Sequence, residues 1–216
     1  ACLVGSEMCI RDSTDAVYFT QKYPSVLTYC LPCFFDSISV KTVTDVIQDN
    51  EKYILYHGNL SVLENVRVIN YILDNLVPKL DIDMQVVIAG KNPGKHLQER
   101  ISRIPNVSLV TNPSQKEMNS LIASAHIHLL LTFQNTGIKL KLIYSLMKGY
   151  GHCLVNSMMI PDPGFEEVCT IADGQEAQIM ALRELYHIPL MPEALQWRQQ
   201  ALTKMGYNNQ VTLILH

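Results

Sequence analysis

The stretch HIHLLLTFQNTGIKLKLIYSLMKG, His126–Gly149, decides the fold. HIHLLLT is a nearly unbroken apolar run of strand length. The residues after it have helical spacing. On a wheel of residues 138–148 at about 100° per residue, Leu142, Ile143, Leu146 and Met147 share one arc, and Lys141, Tyr144, Ser145 and Lys148 lie opposite. A strand emptying into a helix is the repeating unit of an α/β domain. Lys139 breaks the pattern, because the wheel sets it in the middle of the apolar arc. It also falls in the first turn, where the helix dipole disfavours a cation by roughly 0.3–1 kcal/mol. An anion at the helix N-terminus, where free backbone N–H groups point outward, would resolve both conflicts. Gly137 allows close approach to the backbone, and Thr136 can cap the helix or bind a phosphate oxygen. With Ile138 and Lys139 they form the candidate anion site. The competing reading, that the Lys139 stem snorkels out to water, fits the spacing equally well.

The same alternation extends in both directions. KYILYHG (52–58), MQVVIAG (84–90), VSLV (107–110), HIHLLLT (126–132) and HCLVN (152–156) read as strands, and EEVCTIA (166–172) as a sixth. Between them, SVLENVRVINYILDNLV (61–77) carries Val62, Val66, Ile69, Leu73 and Leu76 at helical spacing. Ser61 followed by Glu64 has the form of a capping box. GKHLQERISRI, PSQKEMNSLIASA (opening at Pro113 and Ser114), GQEAQIMALRELY and the tail after Pro192 are the remaining helices. Runs as apolar as VVIA and HLLLT belong to strands covered on both faces, hence parallel. Right-handed crossovers then make a doubly wound α/β, Rossmann-like sheet, whose ligands bind at the carboxyl ends of the strands. Gly58 and Asn59 follow strand one, Gly90 and Lys91 follow strand two, and Thr111, Asn112 and Pro113 follow strand three. GKNPGKH is one residue short of a P-loop and has His96 where magnesium's Ser/Thr would stand. No G-x-G-x-x-G follows the first strand, so the NAD fingerprint is absent.

The 216 residues are 48% hydrophobic and 17% charged, which fits a globular protein with a sizeable core. A net charge of −3 gives no sign of a dedicated nucleic-acid binder. No apolar run approaches the roughly 18 residues of a transmembrane segment, and no signal peptide is visible. The chain begins at Ala1 rather than Met, and the expectation is a fragment. The opening ACLVGSEMCIRDS resembles a translated adapter sequence, so residues 1–13 are set aside as a non-native extension. Cys30 and Cys33 in YCLPCFF have C-x-x-C spacing, but without a second ligand pair or a strand-to-helix setting they read as buried thiols of a reducing cytoplasm. His126 and His128 alternate on a strand with no third ligand near, and no metal site is expected. At the end of strand one His57 could touch a ligand, but a structural hydrogen bond is favoured. Glu166 and Glu167 fall near the expected pocket and read as solvated surface.

YILYHGNLSVLEN, VVIAGKNP and TGIKLKLIYSLMKGYGHCLVN together resemble the donor-binding C-terminal half of GT-B glycosyltransferases, nearest to bacterial group-1 and group-4-like sugar transferases. The likeness covers residues 14–216. It implies a metal-independent, cytoplasmic glycosyltransferase that binds a nucleotide-diphosphate sugar as donor substrate and needs no cofactor. Residues 14–50 would then be a remnant of the N-terminal half and a linker, 51–190 the nucleotide-sugar-binding domain, and 191–216 C-terminal helices. The acceptor-binding half would be missing, leaving this fragment inactive alone. Many members carry an arginine and a lysine where Asn59 and Glu64 stand, and two glutamates where Thr136 and Tyr144 stand. No catalytic residue is therefore assigned. The implied donor-binding set is Gly58, Asn59, Gly90, Lys91, Thr136, Gly137, Ile138 and Lys139. The rival reading is a non-catalytic nucleotide- or partner-binding module on a degenerate Rossmann scaffold.

Overall fold

The computed structural model describes residues 2–4, 7–10, 13–30, 52–134, 139–160 and 164–204. Near the N-terminus, β1 (Cys2–Val4) pairs antiparallel with β2 (Glu7–Ile10), which pairs parallel with β3 (Leu27–Cys30) beyond α1 (Ser13–Lys22). The residues set aside as an extension thus supply two strands. Cys33 lies outside the described residues.

The main sheet has six strands, all parallel: β4 (Tyr53–Asn59), β5 (Gln85–Lys91), β6 (Val107–Thr111), β7 (Ile127–Leu130), β8 (His152–Val155) and β9 (Thr170–Ile171). Their spatial order is β6-β5-β4-β7-β8-β9. The chain builds outward from β4 in one direction, then returns to β7 and builds in the other. The switch between β4 and β7 opens a crevice beyond their carboxyl ends.

Alternating residues explain why the strands lie flat between helices. Ile54 and Tyr56 of β4 face one core with Ile127 and Leu129 of β7. That face is covered by α2 (Leu63–Tyr71), α3 (Lys95–Ile101) and α6 (Gln175–His187), which insert Val68, Ile69, Leu97, Ile101, Ile179 and Leu182. Leu55 points the other way, onto Ile122 of α4 (Gln115–Ser124). Leu130 meets Leu142, Ile143, Leu146 and Met147 of α5 (Leu140–Lys148), with Ala201 and Leu202 of α7 (Pro192–Lys204) behind them. Each fully buried Leu or Ile contributes roughly 1.5–3 kcal/mol through removal from water. Both faces of β4 and β7 draw on that gain, so their sequences lack polar alternation.

The carboxyl ends of β4 and β5 approach closely. A Cβ on Gly90 would lie 1.8 Å from the Gly58 carbonyl oxygen, so β4 and β5 could not keep their spacing with any side chain there.

Two helix starts differ from each other, and one of them differs from the sequence reading. Ser114 and Glu117 of α4 form a true capping box. Ser61 and Glu64 do not: α2 is preceded by Val62, which gives no side-chain cap, and Ser61 instead bonds Asn59 Oδ1 through its N–H (3.2 Å) and its hydroxyl (2.9 Å). The helix expected over 61–77 also loosens into a wide turn at Ile72–Leu76 and a tight one at Val77–Lys79. The missing cap has a cause across the crevice, where Glu64 is engaged.

Candidate functional site

The first wall of the crevice is the end of β4 and the start of α2. Asn65 organises it. Its Nδ2 donates to the Asn59 carbonyl (2.9 Å), and its Oδ1 accepts from the buried Tyr56 hydroxyl (3.0 Å). Gly58 lies against that amide; a Cβ there would stand 3.2 Å from Asn65 Nδ2. Asn59 is turned back on Ser61. Gly90 and Lys91 end β5, in register with Gly58 and Asn59; Lys91 is exposed. Asn92 and Asn112 both take positive φ, and the Asn92 N–H donates to Asn112 Oδ1 at 2.8 Å, tying the ends of β5 and β6.

The second wall is the exit of β7 and the start of α5. Asn156, just past β8, accepts from the Thr132 N–H (3.1 Å) and donates to the Thr132 carbonyl (2.6 Å), standing in for a strand neighbour. The Phe133 ring packs under the Arg67 guanidinium (4.8 Å) and edge-on to Tyr71, clamping this exit to α2. Thr136, Gly137 and Ile138 lie outside the described residues.

Lys139 is placed differently from the wheel. The helix starts at Leu140, and Lys139 is its N-cap with φ −84° and ψ 56°, so the wheel does not apply to it. Its stem is buried, and its ammonium donates to the Gln134 carbonyl at 2.8 Å. The charge stays at the sheet's carboxyl edge instead of extending into bulk water.

Lys141 departs from the polar arc that its spacing suggests. It is half-buried, and its ammonium donates to Asn65 Oδ1 (2.9 Å) and the Tyr56 hydroxyl (3.2 Å), and lies 4.9 Å from the centre of the Tyr56 ring. Burial lowers its pKa to about 8, the Glu64 carboxylate opposes the shift, and Lys139 adds to it. Among the described residues Lys141 makes no ion pair. A cation that is costly to bury is thus held by neutral partners at the switch point, where an incoming anion would relieve the cost.

Glu64 crosses the crevice from α2. Its Oε1 accepts from the Phe133 N–H (2.6 Å) and the Thr132 hydroxyl (3.2 Å), joining the two walls.

The residues matching the family's glutamates serve other ends, or lie beyond description. Tyr144 bonds Asn119 and accepts from Gln115 Nε2 (3.0 Å), pinning α5 to α4 away from the crevice. The His57 ring bonds Ser145 Oγ at 2.9 Å, and burial, with the Lys141 charge, lowers its pKa to about 4. It is a structural contact. His126 bonds the Leu185 carbonyl (3.0 Å), whereas His128 is fully buried against Gly149, so the two histidines diverge. Glu166 and Glu167 are exposed. Among the described residues no group of three or more His, Cys, Asp or Glu is arranged to hold a metal ion, and none of the helices is long and apolar enough to cross a membrane.

Comparison with solved structures gives many matches. The fold is that of the GT-B glycosyltransferases. A UDP-forming α,α-trehalose-phosphate synthase from Burkholderia xenovorans superposes with TM-score 0.64 at 11% identity over 96% of this chain. TarM of S. aureus, in a mutant form with fondaparinux, α-GlcNAc-glycerol and UDP, gives 0.67 at 10% identity over 92%. HepE of Anabaena, with UDP and glucose, gives 0.66 at 11% identity over 97%. The chain spans 59%, 41% and 63% of those proteins respectively. No protein-family model and no curated protein sequence matches. Likeness at this level of identity describes the fold, and the chemistry rests on the crevice itself.

Proposed function

We propose that the chain is the donor-binding part of a glycosyltransferase, and that it holds a nucleotide-diphosphate sugar at the β4–β7 switch point. The observation that carries this is the pair Lys139 and Lys141, whose ammonium groups are drawn in to the carboxyl edge of the sheet beside the start of α5. Glycosyl transfer leaves negative charge on the departing diphosphate. Preorganised ammonium groups and main-chain N–H groups stabilise that charge without a metal, and they act strongly where water is partly excluded. Lys139 and Lys141 take the diphosphate. Thr136, Gly137 and Ile138 are kept as donor-binding residues on the sequence reading alone, and Gly58, Asn59, Gly90 and Lys91 line the opposite rim. The acceptor hydroxyl and the group that activates it come from the acceptor-binding half, so this chain alone binds donor without turning it over.

Nucleoside diphosphates at a hundred times their dissociation constant should stabilise the chain by about 2.7 kcal/mol. Lys139→Ala should remove most of that gain. Undiminished stabilisation in this variant refutes the role given to Lys139.

A second reading, a nucleotide- or partner-binding module without catalysis, draws support from Tyr144, which stands where many family members have a glutamate and is committed to α4. Reconstitution with an acceptor-binding half, followed by a donor-hydrolysis assay, separates the two.

A further inference from the structure

Glu64 gives up a local option for a distant one. In the first turn of α2 it could compensate its own uncapped helix start. It reaches instead to the exit of β7, sixty-nine residues away, and accepts the Phe133 N–H at 2.6 Å with the Thr132 hydroxyl at 3.2 Å. An anionic oxygen held by one main-chain N–H and one hydroxyl is what a phosphate oxygen finds at a strand end. Lys139 is anchored one residue further on, at the Gln134 carbonyl, and Lys141 is bonded to Asn65, the neighbour of Glu64 on α2. The Lys141 ammonium attracts the Glu64 carboxylate across the crevice.

We propose that Glu64 is a resident stand-in for the ligand's anionic group: its carboxylate occupies the Phe133 N–H and Thr132 hydroxyl that a diphosphate oxygen takes, and binding requires its displacement. This rests on the reading of the crevice as a diphosphate site and adds that the site is self-occupied. Glu64 sets the affinity threshold: a ligand must outcompete a charged hydrogen bond already in place, and a weak or singly charged anion fails. Release of Glu64 also removes one of the ties between α2 and the exit of β7, the Phe133 ring against Arg67 and Tyr71 being another, so occupancy of the crevice and the hold between its walls are coupled.

The test uses inorganic pyrophosphate as probe and isothermal titration calorimetry on wild type, Glu64→Gln and Glu64→Ala. Gln keeps the shape and an acceptor oxygen for the Phe133 N–H but removes the charge; Ala empties the position. A charged hydrogen bond exceeds a neutral one by enough to be worth about tenfold in affinity, so both variants should bind pyrophosphate about tenfold more tightly than wild type. Detectable binding only in the variants supports the proposal equally. Wild-type binding with unchanged or weaker affinity in both variants overturns it, and makes Glu64 a latch that the ligand leaves in place. Cooperative melting of all three proteins with no pyrophosphate binding in any of them overturns the diphosphate reading and this inference with it.

Discussion

Replacing Lys141 with Met should leave the empty protein close to wild-type stability and weaken its response to ligand. The ammonium is held among the Tyr56 ring, the Asn65 amide and the start of α5, and burial lowers its pKa from 10.5 to about 8. A shift of that size corresponds to about 3 kcal/mol by which the fold opposes the charged form. Met fills a similar volume without charge. It forfeits two hydrogen bonds donated by the ammonium, worth roughly 1.5 kcal/mol each for a charged donor, while the Tyr56–Asn65 bond remains. The two contributions nearly cancel, and the net expectation at pH 7 is a stability within about 1 kcal/mol of wild type, or roughly 2–4 °C in Tm for a chain of this size. The same variant loses a cation facing the ligand, so saturating nucleoside diphosphate should raise its Tm much less than that of wild type. Paired thermal melts with and without ligand read both effects. A Met variant that melts about 10 °C or more below wild type when empty, or that gains as much from ligand, refutes the placement of a strained cation at the binding edge.

The same geometry sets three further outcomes. Lys141 should add stability between about pH 8 and 10.5, where the unfolded chain still protonates it and the folded chain does not, against the opposing contribution of the Cys153 and Cys169 thiols, which burial pushes up. His57 should subtract stability as pH falls from 6.5 to about 4, in the same direction as His126, His128 and His152, because unfolding lets each take up a proton. Each group contributes a slope of up to about 1.4 kcal/mol per pH unit, and the Lys141 contribution is read as the difference between wild-type and Lys141→Met denaturant titrations across pH. Gly90→Ala should cost about 3 kcal/mol or more, or prevent folding, since its Cβ meets the Gly58 carbonyl at 1.8 Å; near-wild-type unfolding would contradict the strand spacing. Ser145→Ala leaves the buried His57 ring without its partner and should lose about 1–3 kcal/mol with no change in pyrophosphate affinity; a large loss of affinity would place His57 in the binding site.

The sheet is legible in the sequence because burying both faces of a strand leaves a long apolar run. The runs at Tyr53–Asn59, Gln85–Lys91 and Ile127–Leu130 show this, and right-handed crossovers constrain how they connect. The crevice at Gly58, Asn59, Gly90 and Lys91 can be read from where those runs stop. Its charges cannot. A wheel drawn from residue 138 puts Lys139 on the apolar arc, whereas the first helical residue is Leu140. Lys141 looks solvated because its partners Tyr56 and Asn65 are 85 and 76 residues away in sequence, and no local pattern records them. Glu64 resembles half of a capping box for the same reason: the competing bond from the Phe133 N–H is a tertiary contact. Ser145, on the polar arc, is fully buried because a polar neighbour, His57, waits for it inside. A signal is present in GIKLKL, two lysines two residues apart at the exit of an apolar strand, where a single lysine already calls for an anion.

A crystal structure of the chain with a nucleoside diphosphate bears hardest on the role of the two lysines. Diphosphate oxygens should lie within hydrogen-bonding distance of the Lys139 and Lys141 ammonium groups, between the ends of β4 and β7. A well-ordered diphosphate bound elsewhere, with Lys139 still on the Gln134 carbonyl and Lys141 still on Asn65, would contradict that role.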